Sequence, residues 1–191
     1  MLSTRFTFHS LVTEAHKTVQ PYLSEHSISI DATMGNGHDT LFLAQHSLKV
    51  YAFDIQENAI KATCTRLEKN NCLENVSLIH AGHETMHQHI NPGEKADVIM
   101  FNLGYLPHAD NTIITQETNT IIALNQAIKL LSTNGIISII AYPGHPGGNT
   151  ELQAIIHWYE QLDSSQFAIS IIRSMHEKIG SPRLFTIQKN K

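Results

Sequence analysis

The chain has little cysteine. Cys64 and Cys72 are the only two, too few for the disulfide frameworks that hold small secreted domains together. A reducing compartment is the expectation. No apolar run approaches the length of a membrane span, and the opening MLSTRFTFHSLVTEAHKTVQ lacks the apolar stretch of a secretory signal. The chain therefore reads as cytoplasmic, with no membrane partner. Low-complexity segments, long linkers and internal repeats are also missing, so residues 1–191 read as a single domain. An excess of basic charge is absent: the formal net charge is -4, which gives no general attraction for polyanions. The distribution is uneven. Residues 171–191 hold Arg173, Lys178, Arg183, Lys189 and Lys191 against Glu177, a net of +4. A solvated, slightly basic end accounts for this, and a phosphate-contacting edge is the other reading.

What is present is alternation. Helical stripes at 7–23, 38–47, 58–71, 115–131 and 149–162 are interleaved with apolar or β-branched runs at 27–33, 49–55, 75–81, 96–103 and 135–142. Residues 83–90 have room only for a short helix before Asn91-Pro92-Gly93. Asn134-Gly135 is expected to end the fourth long helix. Two further runs, 167–175 and 183–189, close the chain as antiparallel neighbours. The expected class is α/β: a mostly parallel seven-stranded sheet with helices on both faces and an antiparallel strand near the C-terminus. The inner runs lack period-two alternation, as strands buried on both faces do. Ligands of such sheets bind beyond the carboxyl ends of the strands, so those ends are where chemistry is sought.

The first strand runs out in Asp31-Ala32-Thr33-Met34-Gly35-Asn36-Gly37-His38-Asp39-Thr40. Gly35 and Gly37 allow a sharp turn and close approach to a ligand. A dinucleotide fingerprint would carry a third glycine where Thr40 stands. The second strand ends in Asp54, 17 residues after Gly37. A carboxylate there can take both hydroxyls of a ribose; capping the next helix is its structural alternative. Together the turn and Asp54 suggest an adenosine-type site. The fourth strand runs into Asn102-Leu103-Gly104-Tyr105-Leu106-Pro107. This is similar to the Asn-Pro-Pro-Tyr signature of S-adenosylmethionine (SAM) enzymes that methylate nitrogen, with Leu-Gly in place of Pro-Pro. Methyl transfer is an in-line displacement that depends on positioning. The Asn102 amide can orient a target amine, and Tyr105 can stack on a base. The fifth strand ends in Tyr142-Pro143-Gly144-His145-Pro146-Gly147-Gly148, where Tyr142 and His145 are candidate substrate contacts.

One motif points elsewhere. His83-Glu84-Thr85-Met86-His87 matches H-E-x-x-H, the zinc motif of metalloproteases. The segment is too short for a supported helix, and no third ligand follows at the metzincin spacing. No metal is therefore assigned. Gly82 and His83 are expected to line a cofactor pocket, with His87 and His89 facing solvent.

IDATMGNGHDTLFLA, FNLGYLP, IITQETNTIIAL and YPGHPGG together resemble the MnmM-type bacterial methyltransferases, a family formerly labelled rRNA methylases. The resemblance runs from about residue 8 to the C-terminus. It implies a Rossmann-like SAM-dependent methyltransferase fold with SAM as methyl donor. It implies as substrate the aminomethyl nitrogen of 5-aminomethyl-2-thiouridine at the tRNA wobble position, in the anticodon region, and it implies a homodimer. The implied cofactor contacts are Asp31, Gly35, Asn36, Gly37, Asp39, Asp54, Gln56, Gly82 and His83. Asn102, Tyr105, Tyr142 and His145 would face the target amine and base. Two alternatives keep the same SAM site: an rRNA or small-molecule N-methyltransferase, and a SAM-binding regulator without catalysis.

Overall fold

A computed structural model describes residues 10–104, 115–173 and 180–190. The chain opens with α1 (Leu11–Val19), then β1 (Ile28–Asp31), α2 (His38–Ala44), β2 (Lys49–Asp54), α3 (Glu57–Lys69) and β3 (Val76–His80). After a 3-10 turn at His83–Gln88 come β4 (Ala96–Leu103), α4 (Glu117–Leu130), β5 (Leu131–Ala141), α5 (Gly148–Glu160), β6 (Phe167–Arg173) and β7 (Arg183–Lys189). The strand order is β3-β2-β1-β4-β5-β7-β6. The first five strands are mutually parallel, and β7 runs antiparallel to both β5 and β6. The α/β class and the seven strands match the sequence expectation.

The inner strands bury both faces, which explains their unbroken apolar runs. Val98 and Met100 of β4 pack with Ala15, Val19, Leu43 and Leu67 beneath α1, α2 and α3. Ile99, Phe101 and Leu103 point the other way and pack with Ala123, Ala127 and Ile155 of α4 and α5. Burying a side chain such as Phe101 contributes about 2–3 kcal/mol. The core thus fixes β4 at the centre of the sheet and holds its carboxyl end still.

One boundary differs from the sequence expectation. Helix α4 stops at Leu130, and Asn134-Gly135 lies inside β5 rather than ending the helix. Leu131 is buried and pairs with Ala96, and the register shifts before Val98 pairs with Ile136. Asn134 takes a left-handed φ of 63°, which asparagine tolerates. Strand pairing here overrides helix propensity. At the other end, the helix expected over 7–23 is α1 followed by a 3-10 turn at Gln20–Tyr22, because Pro21 cannot continue it.

Candidate active site

The order in which the chain lays down strands reverses between β1 and β4: β1, β2 and β3 step one way, β4 and β5 the other. At such a switch point the loops diverge and leave a crevice. A cleft of about 640 Å³ opens there, within the range of small-molecule sites. The loop after β1, the ends of β2 and β4 and the turn after β3 all contribute to its wall.

The loop after β1 is shaped by its glycines. Gly35 and Gly37 have φ of 50° and 75°. A Cβ on Gly37 would stand 2.7 Å from Thr63 Oγ1 and 2.9 Å from Thr63 Cα, so α3 packs directly against the turn. Gly37→Ala is expected to cost roughly 2–4 kcal/mol, from the left-handed backbone and from overpacking. Thermal unfolding reads this as a Tm lower by roughly 5–15 °C. An unchanged Tm would mean that α3 yields freely at Thr63.

Asp54 holds this loop from the end of β2. Its Oδ2 accepts from Gly35 N at 3.0 Å and its Oδ1 accepts from Gln56 N at 2.9 Å. Helix α3 takes Gln56, not Asp54, as its N-cap residue. Each carboxylate oxygen keeps a further lone pair for a ligand hydroxyl. Burial raises the Asp54 pKa against the pull of these backbone donors. His83 stands across the cleft, buried, with Nδ1 3.3 Å from Ala32 O and its ring edge-on to Phe101. Burial lowers its pKa, so it is neutral at pH 7. Gly82 sits under the Glu84 carboxylate, where a Cβ would stand 2.3–2.6 Å from its atoms. Ile55 is 56% exposed on the cleft wall, an apolar surface for a flat ring to cover.

On the opposite side Asn102 closes β4. Its N–H donates to Thr33 Oγ1 at 2.7 Å, and its side-chain Nδ2 donates to Asp39 Oδ2 at 3.3 Å. A carboxylate can only accept here, so the amide orientation is fixed and Asn102 Oδ1 is the end left to accept from a ligand. Asp39 Oδ1 bonds His16 Nε2 at 2.6 Å. Tyr142 lines the same part of the cleft, and burial, with Asp39 nearby, raises its pKa. Its phenol stays protonated at neutral pH and serves as a donor.

Behind this wall lies Asp31, 1% exposed. It accepts from Thr40 Oγ1 at 2.6 Å and from Thr33 N at 3.1 Å. The Thr40 that breaks the dinucleotide fingerprint therefore has its own task. Burial, with the Asp39 charge second, pushes the Asp31 pKa from 3.8 to about 7. A raised acid pKa means the folded chain holds a proton that the unfolded chain has lost. Stability from this group thus falls as pH rises from about 4 to about 7. Asp31→Asn removes the titration, so the Tm of the variant should gain on wild type by several degrees over that window and level off above it. Parallel Tm curves against pH would mean that Asp31 is ionised throughout.

The charge of the cleft selects its ligand. Among the described residues that line it are three carboxylates, Asp39, Asp54 and Glu84, and no lysine or arginine. A pyrophosphate would find no countercharge, whereas a cationic adenosine derivative fits.

The sequence model of the family described as "Putative rRNA methylase" matches residues 50–188. The chain belongs to that rRNA methylase family. A chloroplastic protein of Arabidopsis thaliana, named tRNA (mnm(5)s(2)U34)-methyltransferase, is 35% identical over 92% of this chain and 68% of its own length. Two crystal structures also align. One, described as an rRNA-methylase from Clostridium thermocellum, has a TM-score of 0.91 at 34% identity, over 96% of this chain and all of that one. The other is a methyltransferase from Streptococcus mutans in complex with SAH, with a TM-score of 0.88 at 36% identity, over 96% of this chain and 99% of that one.

In this chain, Gly35, Asn36, Asp39, Asp54, Gln56, Gly82, His83, Asn102 and Tyr142 all line one cleft. Asp31 and Gly37 sit behind its wall, as carboxyl brace and helix contact. His145 is not on the wall; its Nε2 would stand 3.9 Å from a Cβ on Gly104 and its Nδ1 is 3.0 Å from Pro146 O. Tyr105 lies outside the described residues. HETMH forms a 3-10 turn, whose 120° step sends positions 83 and 87 to different faces: His83 is buried, His87 and His89 are exposed.

Two residues of the site carry no signal in the sequence. His16 comes from α1, 23 positions before its partner Asp39. Glu151 is, in the sequence, one polar position on the helix over 149–162. Glu151 is 2% exposed and accepts from Thr115 Oγ1 at 2.8 Å and Thr120 Oγ1 at 2.6 Å, anchoring the chain where it returns to the cleft at Thr115.

Proposed function

We propose that this chain is a SAM-dependent N-methyltransferase acting on the aminomethyl group of 5-aminomethyl-2-thiouridine at the tRNA wobble position. The product is 5-methylaminomethyl-2-thiouridine. The observation that carries the reading is that Asp54 and Asn102 open onto one carboxylate-lined cleft, one suited to a ribose and the other to an amine. The Arabidopsis relative's name and the SAH held by the Streptococcus mutans relative support it.

SAM supplies a methyl group on a sulfonium. Asp54 takes the ribose hydroxyls on its remaining lone pairs. Asn36, Gln56, Gly82 and neutral His83 enclose the adenosine, and Asp39 offers negative charge to the cationic end. Asp31, Gly35 and Gly37 shape this wall from behind and below. The target nitrogen attacks only after losing a proton; desolvation under the bound base lowers an amine's pKa, and the carboxylates of the cleft act against that shift. Asn102 Oδ1 accepts an N–H of that amine and aims its lone pair; Tyr142 donates to the base, and Tyr105 and His145 belong to the same substrate side. As the new N–C bond forms, the C–S bond breaks and its electron pair stays on sulfur.

The chain acts as a single domain and as a cytoplasmic homodimer on the anticodon region of tRNA. Among the described residues no helix is long and apolar enough to cross a membrane. Among the described residues strand β6 has no neighbour on its outer side, with Ile169 39% exposed, which suits a partner subunit. The basic residues of 171–191 give it charge for RNA phosphates. The test is mass spectrometry of nucleosides from tRNA carrying the unmethylated aminomethyl group, after incubation with protein and SAM. One added methyl on that nucleoside is expected. No addition, with SAM bound, would move the search to rRNA and small amines, or to a regulator without turnover.

A further inference from the structure

Helix α1 precedes the sheet and contributes nothing to the cleft wall, yet it sends one polar side chain toward it. His16 Nε2 lies 2.6 Å from Asp39 Oδ1. Its ring stacks face to face on Phe42, with centroids 4.0 Å apart and planes 4° apart. Phe42 belongs to α2, so the ring is clamped between two helices and has little rotational freedom. Ala15 and Val19, buried on the same helix, lock α1 against the sheet. Asp39, 5% exposed, then has one oxygen on His16 and the other on Asn102 Nδ2 at 3.3 Å. The link runs from α1 through Asp39 to the end of β4.

Such a link has a specific consequence. With one oxygen fixed by His16, Asp39 presents its second oxygen in a single direction. That oxygen decides which end of the Asn102 amide faces it. Remove His16, and the carboxylate is free to rotate about its own side-chain bonds. The amide then loses its fixed acceptor and can turn its NH2 end to the target amine, which repels rather than accepts an N–H.

We infer that His16 is a positioning residue for methyl transfer: through Asp39 it holds the Asn102 amide with its oxygen toward the target nitrogen. This rests on the reading of Asn102 as the group that orients the amine. Misplacement of a reacting group by about 1 Å can cost about 100-fold in rate, so a 10- to 100-fold loss is expected from His16→Ala.

The test uses the full chain with SAM and tRNA bearing the aminomethyl nucleoside. His16→Ala should lower kcat about 10- to 100-fold, with KM for tRNA and Kd for SAM each within about threefold. His16→Gln, whose Nε2 can donate where the imidazole nitrogen does, should restore most of kcat. In an Asn102→Ala background, His16→Ala should have no further effect. An unchanged kcat in His16→Ala, or an undiminished loss in the Asn102→Ala background, overturns the inference. A loss that follows SAM affinity or Tm instead of kcat also overturns it.

If the wild-type chain does not methylate this tRNA, the substrate assignment fails and the inference is read another way. The side-chain amide signals of Asn102, assigned by their absence in Asn102→Ala, are followed by NMR in protein labelled with 15N-asparagine and saturated with SAH. His16→Ala should shift them and His16→Gln should return them. Signals indifferent to His16 overturn the inference without reference to any substrate.

Discussion

Asn102→Ala should turn over about 100- to 1,000-fold more slowly than wild type, the usual loss when one preorganised hydrogen-bonding group is removed from a reacting centre. SAM should still bind within about threefold. The two expectations separate because, in the proposed reading, Asn102 meets the cationic end of SAM only through Asp39, whereas its amide oxygen is assigned to the nucleophile. The backbone of β4 should not move. Asn102 N still donates to Thr33 Oγ1, and the neighbouring Phe101 and Leu103 remain in the core. Asn102→Asp should fare no better, since it places a second carboxylate beside Asp39 and costs like-charge repulsion. Single-turnover rates at saturating SAM, with calorimetric Kd for SAH, measure both halves. A variant with full rate would remove Asn102 from the chemistry and leave the site as a binding cleft.

Asp54→Ala should act on the other half of the site. The two charge-assisted hydrogen bonds proposed to a ribose, each contributing about 1.5–3 kcal/mol, would vanish together with the acceptor of Gly35 N and Gln56 N. A 100-fold or greater weakening of SAH binding is the expected result. The loop should loosen as well, so Tm falls without ligand and the stabilisation by added SAH shrinks in step with affinity. Asp54→Asn keeps one acceptor oxygen and should fall between the two. If SAH binding survived Asp54→Ala while Tm fell, the carboxylate would be a loop brace only.

These two residues were legible in the sequence for a physical reason. Each closes a strand whose apolar run is unmistakable, so each is placed by counting along the chain to a sheet edge. Asp54 follows KVYAF, and Asn102 follows ADVIMF. The turn at Gly35 and Gly37 was legible because positive φ restricts residue choice. His16 was not legible: on its own helix it is one polar position next to an apolar stripe, and only the packing of α1 on the sheet brings it to Asp39. Glu151 was hidden for the same reason, since a glutamate on an amphipathic helix reads as solvent-facing until its threonine partners arrive from elsewhere in the chain. The α4–β5 boundary went astray because Asn134-Gly135 is a strong local signal, and the pairing of Leu131 with Ala96 that defeats it is distant in sequence. The HETMH motif misleads in the converse way. Its spacing is right for an α-helix, and the turn it adopts has a different pitch.

The placement of β7 between β5 and β6 also governs how the molecule is made. Residues 167–173 have no neighbour in the sheet until residues 183–189 exist. During synthesis the flank of β5 stays bare while about 40 further residues are added, a wait of several seconds at cellular elongation rates. A nascent chain stalled in that interval presents an open hydrogen-bonding edge and the apolar faces of Ile137 and Ile139. That is a docking target for a second stalled copy or for a holdase. A stop codon before residue 183 would therefore cost two strands rather than one.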